Sequence, residues 1–327
     1  MDYIISITNK CNLHCKYCYE RRLNTVHGNI DEKTADKITT FINKRNDADI
    51  VYLFGGEPLL YKDLLRKFIS GINGRQFVIT TNGTLLDEEF VQWCCQNKTI
   101  INMSHDGIDC SDRGTDVELL NEKVKILLRY QPKTLLQLVY TEKTLSLLPE
   151  NVNYFKSLGI KKVSLVMDSN TKPDNPDSFA DKLKDAWEKV IKIKDIFILE
   201  LHDKRKVIED ISKGRQLGKC EICKKKMFIN WDGKIYPCVQ FQNVTEYQCG
   251  DIFTGLMTDK TIMRHPDYSS LSHRCEDCEI ALYCRNSCAC KKMSTTGTLT
   301  DISEALCIEE QVLILTVLND MQKNTHT

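Results

Sequence analysis

The sequence predicts an α/β fold, a partial barrel of parallel strands followed by a small cysteine-rich domain. Two observations predict it. Short β-branched runs alternate with helical patterns through the N-terminal part of the chain, and from Cys220 onward that alternation gives way to a cysteine-dense segment. A third, coarser one is length: 327 residues, at about 150 per domain, give a prior near two domains. The expected division is residues 1–205 for the barrel and 206–327 for the second domain.

Strands are expected at Tyr3 to Thr8, Ile50 to Phe54, Gln76 to Thr80, Ile100 to Ser104, Leu135 to Tyr140 and Lys162 to Met167, each apolar enough for burial on both faces. Helical patterns separate them at Glu32 to Asn43, Leu59 to Ile69, Asp87 to Cys95, Asp116 to Tyr130 and Ser146 to Leu158. Asp31 or Asn29 can cap the first helix, and Gly159 stops the fifth. Six units are too few for an eight-stranded barrel. The turn formers Ser169 to Ser178 predict a long loop, followed by a helix over Phe179 to Lys194 and a strand over Ile196 to Leu201. A final helix over Ser303 to Met321 follows the capping box Asp301-Ile-Ser-Glu304.

Lysine plus arginine and aspartate plus glutamate each total 45, which argues against nucleic acid or an anionic membrane surface as partner. The N-terminus lacks a basic segment leading into an apolar one, and Val312 to Leu318, the most apolar stretch, is short; roughly 20 residues span a bilayer. A cytoplasmic chain with reduced thiols is therefore expected. Sixteen cysteines in so large a chain, ten of them between Cys220 and Cys307, then point to metal rather than disulfides.

Cys11, Cys15 and Cys18 follow the first strand at x3 and x2 spacing, where parallel α/β folds place their chemistry. Three thiolates can hold a cubane with one open iron, or a zinc ion completed by His14 or a distant residue. Gly55-Gly56-Glu57-Pro58 follows the second strand; the glycines let a ligand approach the backbone and the glutamate can accept from an ammonium group. Thr81-Asn82-Gly83-Thr84 follows the third and Ser104-His-Asp106-Gly107 the fourth, so four successive strand ends carry small or polar residues.

In these motifs the chain resembles the radical S-adenosylmethionine (SAM) superfamily. The signature C-x3-C-x-aromatic-C stands as Cys11, Cys15, Tyr17 and Cys18, and the Gly-Gly-Glu element as Gly55, Gly56 and Glu57. The resemblance implies a [4Fe–4S] cluster on the three cysteines, with SAM on its fourth iron. It also implies that Gly55 to Glu57 hold the methionine amine, that Tyr17 lies near the adenine, and that Thr81, Asn82, Ser104 and Asp106 complete the cofactor site, the last two at ribose or carboxylate.

Farther on the chain reads Cys220-x2-Cys223-x9-Gly233-x4-Cys238, then Cys275-x2-Cys278-x5-Cys284-x3-Cys288, then Cys307. Eight thiols can make two four-thiolate sites, iron–sulfur or zinc. Trp231-Asp232-Gly233-Lys234 reads as a hairpin that delivers Cys238. The spacing is similar to the SPASM auxiliary-cluster domain of radical SAM enzymes that modify peptides and proteins. That resemblance implies a partial (β/α)6 TIM-type barrel with a C-terminal SPASM domain, and three [4Fe–4S] clusters, one SAM-binding and two auxiliary. It places one auxiliary cluster on Cys220, Cys223, Cys238 and Cys288 and the other on Cys275, Cys278, Cys284 and Cys307, with Cys249 and Cys290 as alternative ligands. Cys94, Cys95 and Cys110 are expected to be ordinary thiols.

The implied chemistry is reductive cleavage of SAM to a 5′-deoxyadenosyl radical that takes a hydrogen from substrate, with an external flavodoxin or ferredoxin type of reductant. The favoured substrate is a ribosomally made precursor peptide, cross-linked through a C–C or thioether bond. With its first cysteine at position 11, the chain is expected to rely on a separate leader-binding protein or on none. The alternatives are a sulfatase-maturating (formylglycine-generating) enzyme and a peptide epimerase; the former group places an aspartate base after the cysteine equivalent to Cys238, where this chain has Val239. In a different class stand a non-catalytic iron–sulfur carrier and a zinc scaffold.

Overall fold

The computed structural model describes residues 1–23, 26–45, 49–215, 226–257, 275–284, 288–299 and 301–325. In chain order the strands are β1 (Asp2–Thr8), β2 (Ile50–Gly55), β3 (Gln76–Thr81), β4 (Thr99–Ser104), β5 (Leu135–Tyr140), β6 (Lys162–Met167), β7 (Phe197–Ile198), β8 (Lys226–Ile229), β9 (Lys234–Tyr236), β10 (Gly250–Asp251) and β11 (Gly255–Leu256). The helices are α1 (Tyr19–Leu23), α2 (Glu32–Asn43), α3 (Lys62–Gly71), α4 (Glu88–Gln96), α5 (Val117–Tyr130), α6 (Leu148–Ser157), α7 (Pro176–Val190), α8 (Leu199–Ser212), α9 (Ala289–Thr296) and α10 (Glu304–Thr325). The chain forms two compact units, and no described helix is long and apolar enough to cross a membrane.

The first unit comprises Met1–Ser104, Cys110–Thr134 and Glu221–His265. Its strands β1 to β4 pair in parallel in sequence order, as the βα alternation requires. On the other edge of β1 lies β8, also parallel, and β9, β10 and β11 continue from it as an antiparallel meander. The predicted hairpin is there: Gly233, at φ +86°, donates to Asn230 O at 2.9 Å between β8 and β9. So the cysteine-rich segment opens by extending the barrel sheet.

Burial on both faces is expected of these strands and holds in part: Ser6 and Thr8 of β1 and Val78 of β3 are buried as well, whereas β2 and β4 alternate. Tyr3, Ile5, Ile7, Val51, Leu53, Ile101 and Met103 are fully buried, whereas Ile4, Tyr52, Thr80, Asn102 and Ser104 on the other face are half-buried and Ile100 is 36% exposed. The caps follow their residues: Asp31, Asp87 and Asp116 each accept from a backbone N–H at the start of α2, α4 and α5.

The second unit comprises His105–Asp109, Leu135–Cys220 and Pro266–Thr327, and its strands β5, β6 and β7 are parallel. Two elements differ from the sequence expectation. α7 begins three residues early, inside the predicted loop, because Asn175 caps it through Ser178 N (2.9 Å) and Pro176 suits the first turn. The expected strand over Ile196 to Leu201 pairs only at Phe197 and Ile198. At that point the Glu200 carboxylate takes the Leu165 N–H at 2.8 Å, and the chain turns into α8 through helix-forming residues.

α10 packs on α7 and α8. Buried polar pairs lock it there: Tyr140 donates to Glu309, and Lys204 pairs with Glu310. Glu200 accepts from Ser164 Oγ at 2.7 Å and has its carboxyl pushed up to about 7, by burial first and by the Glu309 charge least.

Candidate active site

The loop carrying Cys11, Cys15 and Cys18 runs from β1 into α1, and its placement is fixed from three sides within the first unit. Gly56 N donates to Thr8 O at 2.7 Å and Glu57 N to Lys10 O at 2.8 Å, so the Gly-Gly-Glu segment continues the β1–β2 pairing into the loop. Lys16 N donates to Asp112 O at 2.8 Å, and Lys16 Nζ reaches Asp112 Oδ1 at 2.6 Å. Within the loop, Cys18 N donates to Cys15 O at 3.2 Å.

This stitching explains the two glycines. A Cβ on Gly55 would stand 2.1 Å from Thr8 O, and one on Gly56 would stand 2.2 Å from Lys10 O. Gly55 also has φ +139°, where a side chain is strained. The backbone that comes close here is the cysteine loop itself, a tighter demand than the ligand approach expected from sequence.

Glu57 is fully buried. Its Oε1 accepts from Leu59 N (2.9 Å) and Thr81 Oγ1 (2.7 Å), and its Oε2 from Asn82 N (2.7 Å). Burial pushes its carboxyl up, against those three donors and the Arg113 charge. Glu57 therefore ties the end of β2 to the end of β3, and Thr81 and Asn82 are the residues it grips.

Asn82 reaches the cysteines directly. Its Nδ2 lies 3.7 Å from Cys11 Sγ and 2.9 Å from Asn12 Oδ1, while its Oδ1 accepts from Thr84 N and Thr84 Oγ1 at 2.9 and 2.7 Å. Asn12 Nδ2 donates to Thr84 Oγ1 at 2.8 Å. Cys11 Sγ also accepts from Leu13 N at 3.4 Å. Burial pushes the Cys11 thiol up, and these N–H groups favour the thiolate.

Tyr17 is half-buried with the Arg113 guanidinium 5.7 Å from its ring centroid. Ser104 ends β4, half-buried. Asp106 belongs to the second unit, where its Oδ1 accepts from Val139 N at 3.3 Å. Asn12, Thr84 and Arg113 carry structure that sequence reasoning missed. Asn12 sits beside the first cysteine and Thr84 closes the Thr-Asn-Gly-Thr motif, so both had a positional signal; a buried arginine in a Ser-Asp-Arg-Gly turn had none.

Of the C-terminal cysteines, Cys220 and Cys223 lie outside the described residues. Cys238 follows β9 in the first unit, its carbonyl accepting from Phe241 N at 3.0 Å. Cys275, Cys278, Cys284, Cys288 and Cys307 belong to the second unit. Cys278 N donates to Cys275 O at 3.4 Å, Cys288 precedes α9, and Cys307 lies in the first turns of α10. Cys249 is half-buried and Cys290 is buried.

Among the described residues, no three His, Cys, Asp or Glu side chains close on a point as the ligands of one metal ion do. The Cys11 loop supplies thiols as its donor set, the chemistry that selects iron–sulfur clusters and zinc. Its placement against the Gly-Gly-Glu segment and the N–H groups aimed at Cys11 Sγ fit a thiolate-held cluster.

Comparison with known proteins agrees. Residues 5–167 match the radical SAM superfamily model, and residues 220–289 match SPASM, an iron–sulfur cluster-binding domain. These domains imply SAM and [4Fe–4S] clusters as cofactors. An uncharacterized protein of Methanocaldococcus jannaschii is 30% identical over 49% of this chain, which spans 60% of that protein's length. A cysteine-type anaerobic sulfatase-maturating enzyme of Clostridium novyi is 25% identical over 86% of this chain and 85% of its own.

Among solved structures, native anSMEcpe with bound AdoMet and the Cp18Cys peptide superposes with TM-score 0.78 at 18% identity over 99% of both chains. Streptococcus suis SuiB bound to precursor peptide SuiA gives 0.64 at 18% identity, over 92% of this chain and 74% of that one. At such identities the likeness is one of fold. Fold, cysteine loop and both domain matches converge: the chain belongs to the radical SAM superfamily of enzymes and carries a C-terminal SPASM domain.

Proposed function

We propose that this enzyme modifies a residue within a peptide or protein, with a cross-linked precursor peptide as the favoured product. The observation that carries the radical chemistry is the double stitch of Gly56 and Glu57 to Thr8 and Lys10, which sets the three-cysteine loop and the Gly-Gly-Glu segment as one rigid construction. The cluster and SAM, when bound, supply a hydrogen-abstracting radical. The chain's own residues position and shield. Cys11, Cys15 and Cys18 are proposed as cluster ligands, Gly55 to Glu57 as the amine-binding backbone, and Tyr17, steadied by Arg113, as the adenine contact. Substrate oxidation leaves a second electron, for which two auxiliary clusters on the eight C-terminal cysteines are the proposed acceptor, and an external one-electron donor is proposed to reduce the first.

The peptide substrate is supported by the fold shared with two enzymes whose structures hold peptides. A second reading, formylglycine formation, is favoured by the similarity to a sulfatase-maturating enzyme over 86% of the chain. Val239 stands where that group is expected to place its aspartate base, which favours the first reading. Mass spectrometry of a peptide encoded beside the gene and co-expressed with the enzyme separates the two. Loss of two hydrogens with blocked fragmentation is the expected cross-link. An aldehyde trapped by a hydrazide would establish formylglycine, and unchanged mass with inverted chirality would establish epimerisation.

A further inference from the structure

We infer that Asn82 sets the reduction potential of the cluster at Cys11, Cys15 and Cys18 by hydrogen-bonding the Cys11 sulfur, and does not contact SAM. The inference rests on the cluster assignment proposed above. A primary amide has two N–H donors and two acceptor lone pairs, and all four are used here. Nδ2 serves Asn12 Oδ1 and Cys11 Sγ; Oδ1 serves Thr84 N and Thr84 Oγ1. The orientation is fixed by Thr84, whose backbone N–H can only donate, so the oxygen faces Thr84 and the nitrogen faces the sulfur. Asn12 Nδ2 closes the ring onto Thr84 Oγ1 at 2.8 Å. Asn82 itself is 7% exposed, so the amide has no open position for a cofactor.

An N–H aimed at a ligand sulfur stabilises the more electron-rich, reduced cluster, and such bonds are among the levers by which proteins set cluster potentials. Losing the bond makes reduction harder. Asn82 is thus a positioning residue that acts through Cys11.

The test is a potentiometric titration of the reconstituted full chain, following the EPR signal that changes when SAM is added, with SAM affinity measured separately by equilibrium dialysis. In Asn82→Ala the reduced-to-oxidised ratio at the wild-type midpoint is expected to fall about tenfold, equivalent to ~59 mV for one electron, with SAM affinity unchanged. Asn12→Ser alters an exposed residue and removes the acceptor for one Asn82 N–H and the donor to Thr84 Oγ1 while leaving Thr84 to hold the amide against Cys11, so it is expected to shift the midpoint the same way by less. An unmoved midpoint in both variants, or a loss of SAM affinity at constant midpoint, overturns the inference. A wild-type chain that binds zinc and no iron overturns the cluster assignment first.

Discussion

The two sets of cysteines are held by different means. The Cys11 loop is fixed by bonds to residues far away in sequence, Gly56, Glu57, Asn82 and Asp112. Around Cys275 to Cys284 the described backbone bonds join residues three or four apart, such as Cys278 N to Cys275 O and Cys284 N to Ile280 O. Further on, Cys307 depends on α10, itself docked by Tyr140–Glu309 and Lys204–Glu310. The first set is placed by the sheet before any metal arrives, as is Cys238 after β9; Cys275, Cys278 and Cys284 stand on short turns, so metal binding is expected to contribute more to their order.

The largest way to break this comparison is Gly56→Ala. Its Cβ would meet Lys10 O at 2.2 Å, a backbone atom that cannot step aside. Displacing the loop by about an ångström is expected to slow SAM cleavage on the order of 100-fold, read as methionine released under reductant. Iron bound by the C-terminal cysteines should be unaffected.

Lys204→Met attacks the other side. It leaves the Glu310 carboxylate buried without its cation, at a cost of about 3 kcal/mol in chemical denaturation. Adding Glu310→Leu should recover most of the loss. A single variant as stable as the wild type would mean that the pair does not dock α10.

Glu200 gives a pH signature to the second unit. Its carboxyl is raised to about 7 from an ordinary 4.5, so between those values the folded state holds a proton that the unfolded state has lost. That contribution is fully present below pH 4.5 and is lost as pH rises through 7, up to roughly 3–4 kcal/mol. Burial raises all three neighbours here; the Glu309 charge on α10 adds to the rise at Glu200 and at Tyr140 of β5, while at Glu309 itself Lys291 of α9, the Tyr140 hydrogen bond and Lys204 of α8 oppose it. Glu200→Gln should flatten the denaturation midpoint across this range, and an unchanged slope would remove Glu200 from the network.

How much of this was legible in the sequence differs between the regions for a physical reason. All six core strands could be read, because each is a short run rich in apolar residues bounded by turn residues, and Asp31 was legible as the cap of α2. α8 could not, because Phe197 to Leu201 is apolar enough for a strand and only the reach of Glu200 to Leu165 N ends the pairing. Gly55, Gly56 and Glu57 were legible as a motif but not in their work: the glycines admit the chain's own loop, and the Glu57 carboxylate is used by Leu59, Thr81 and Asn82. The ring of Asn12, Asn82 and Thr84 joins residues some seventy positions apart, a relation that no local pattern carries.

The most direct measurement compares the anaerobically reconstituted wild type with Cys11→Ala/Cys15→Ala/Cys18→Ala for iron content and SAM cleavage. Three cubanes predict about 12 irons in the wild type and about 8 in the variant, with cleavage abolished. A variant that still cleaves SAM, or a wild type that holds zinc alone, would contradict the account.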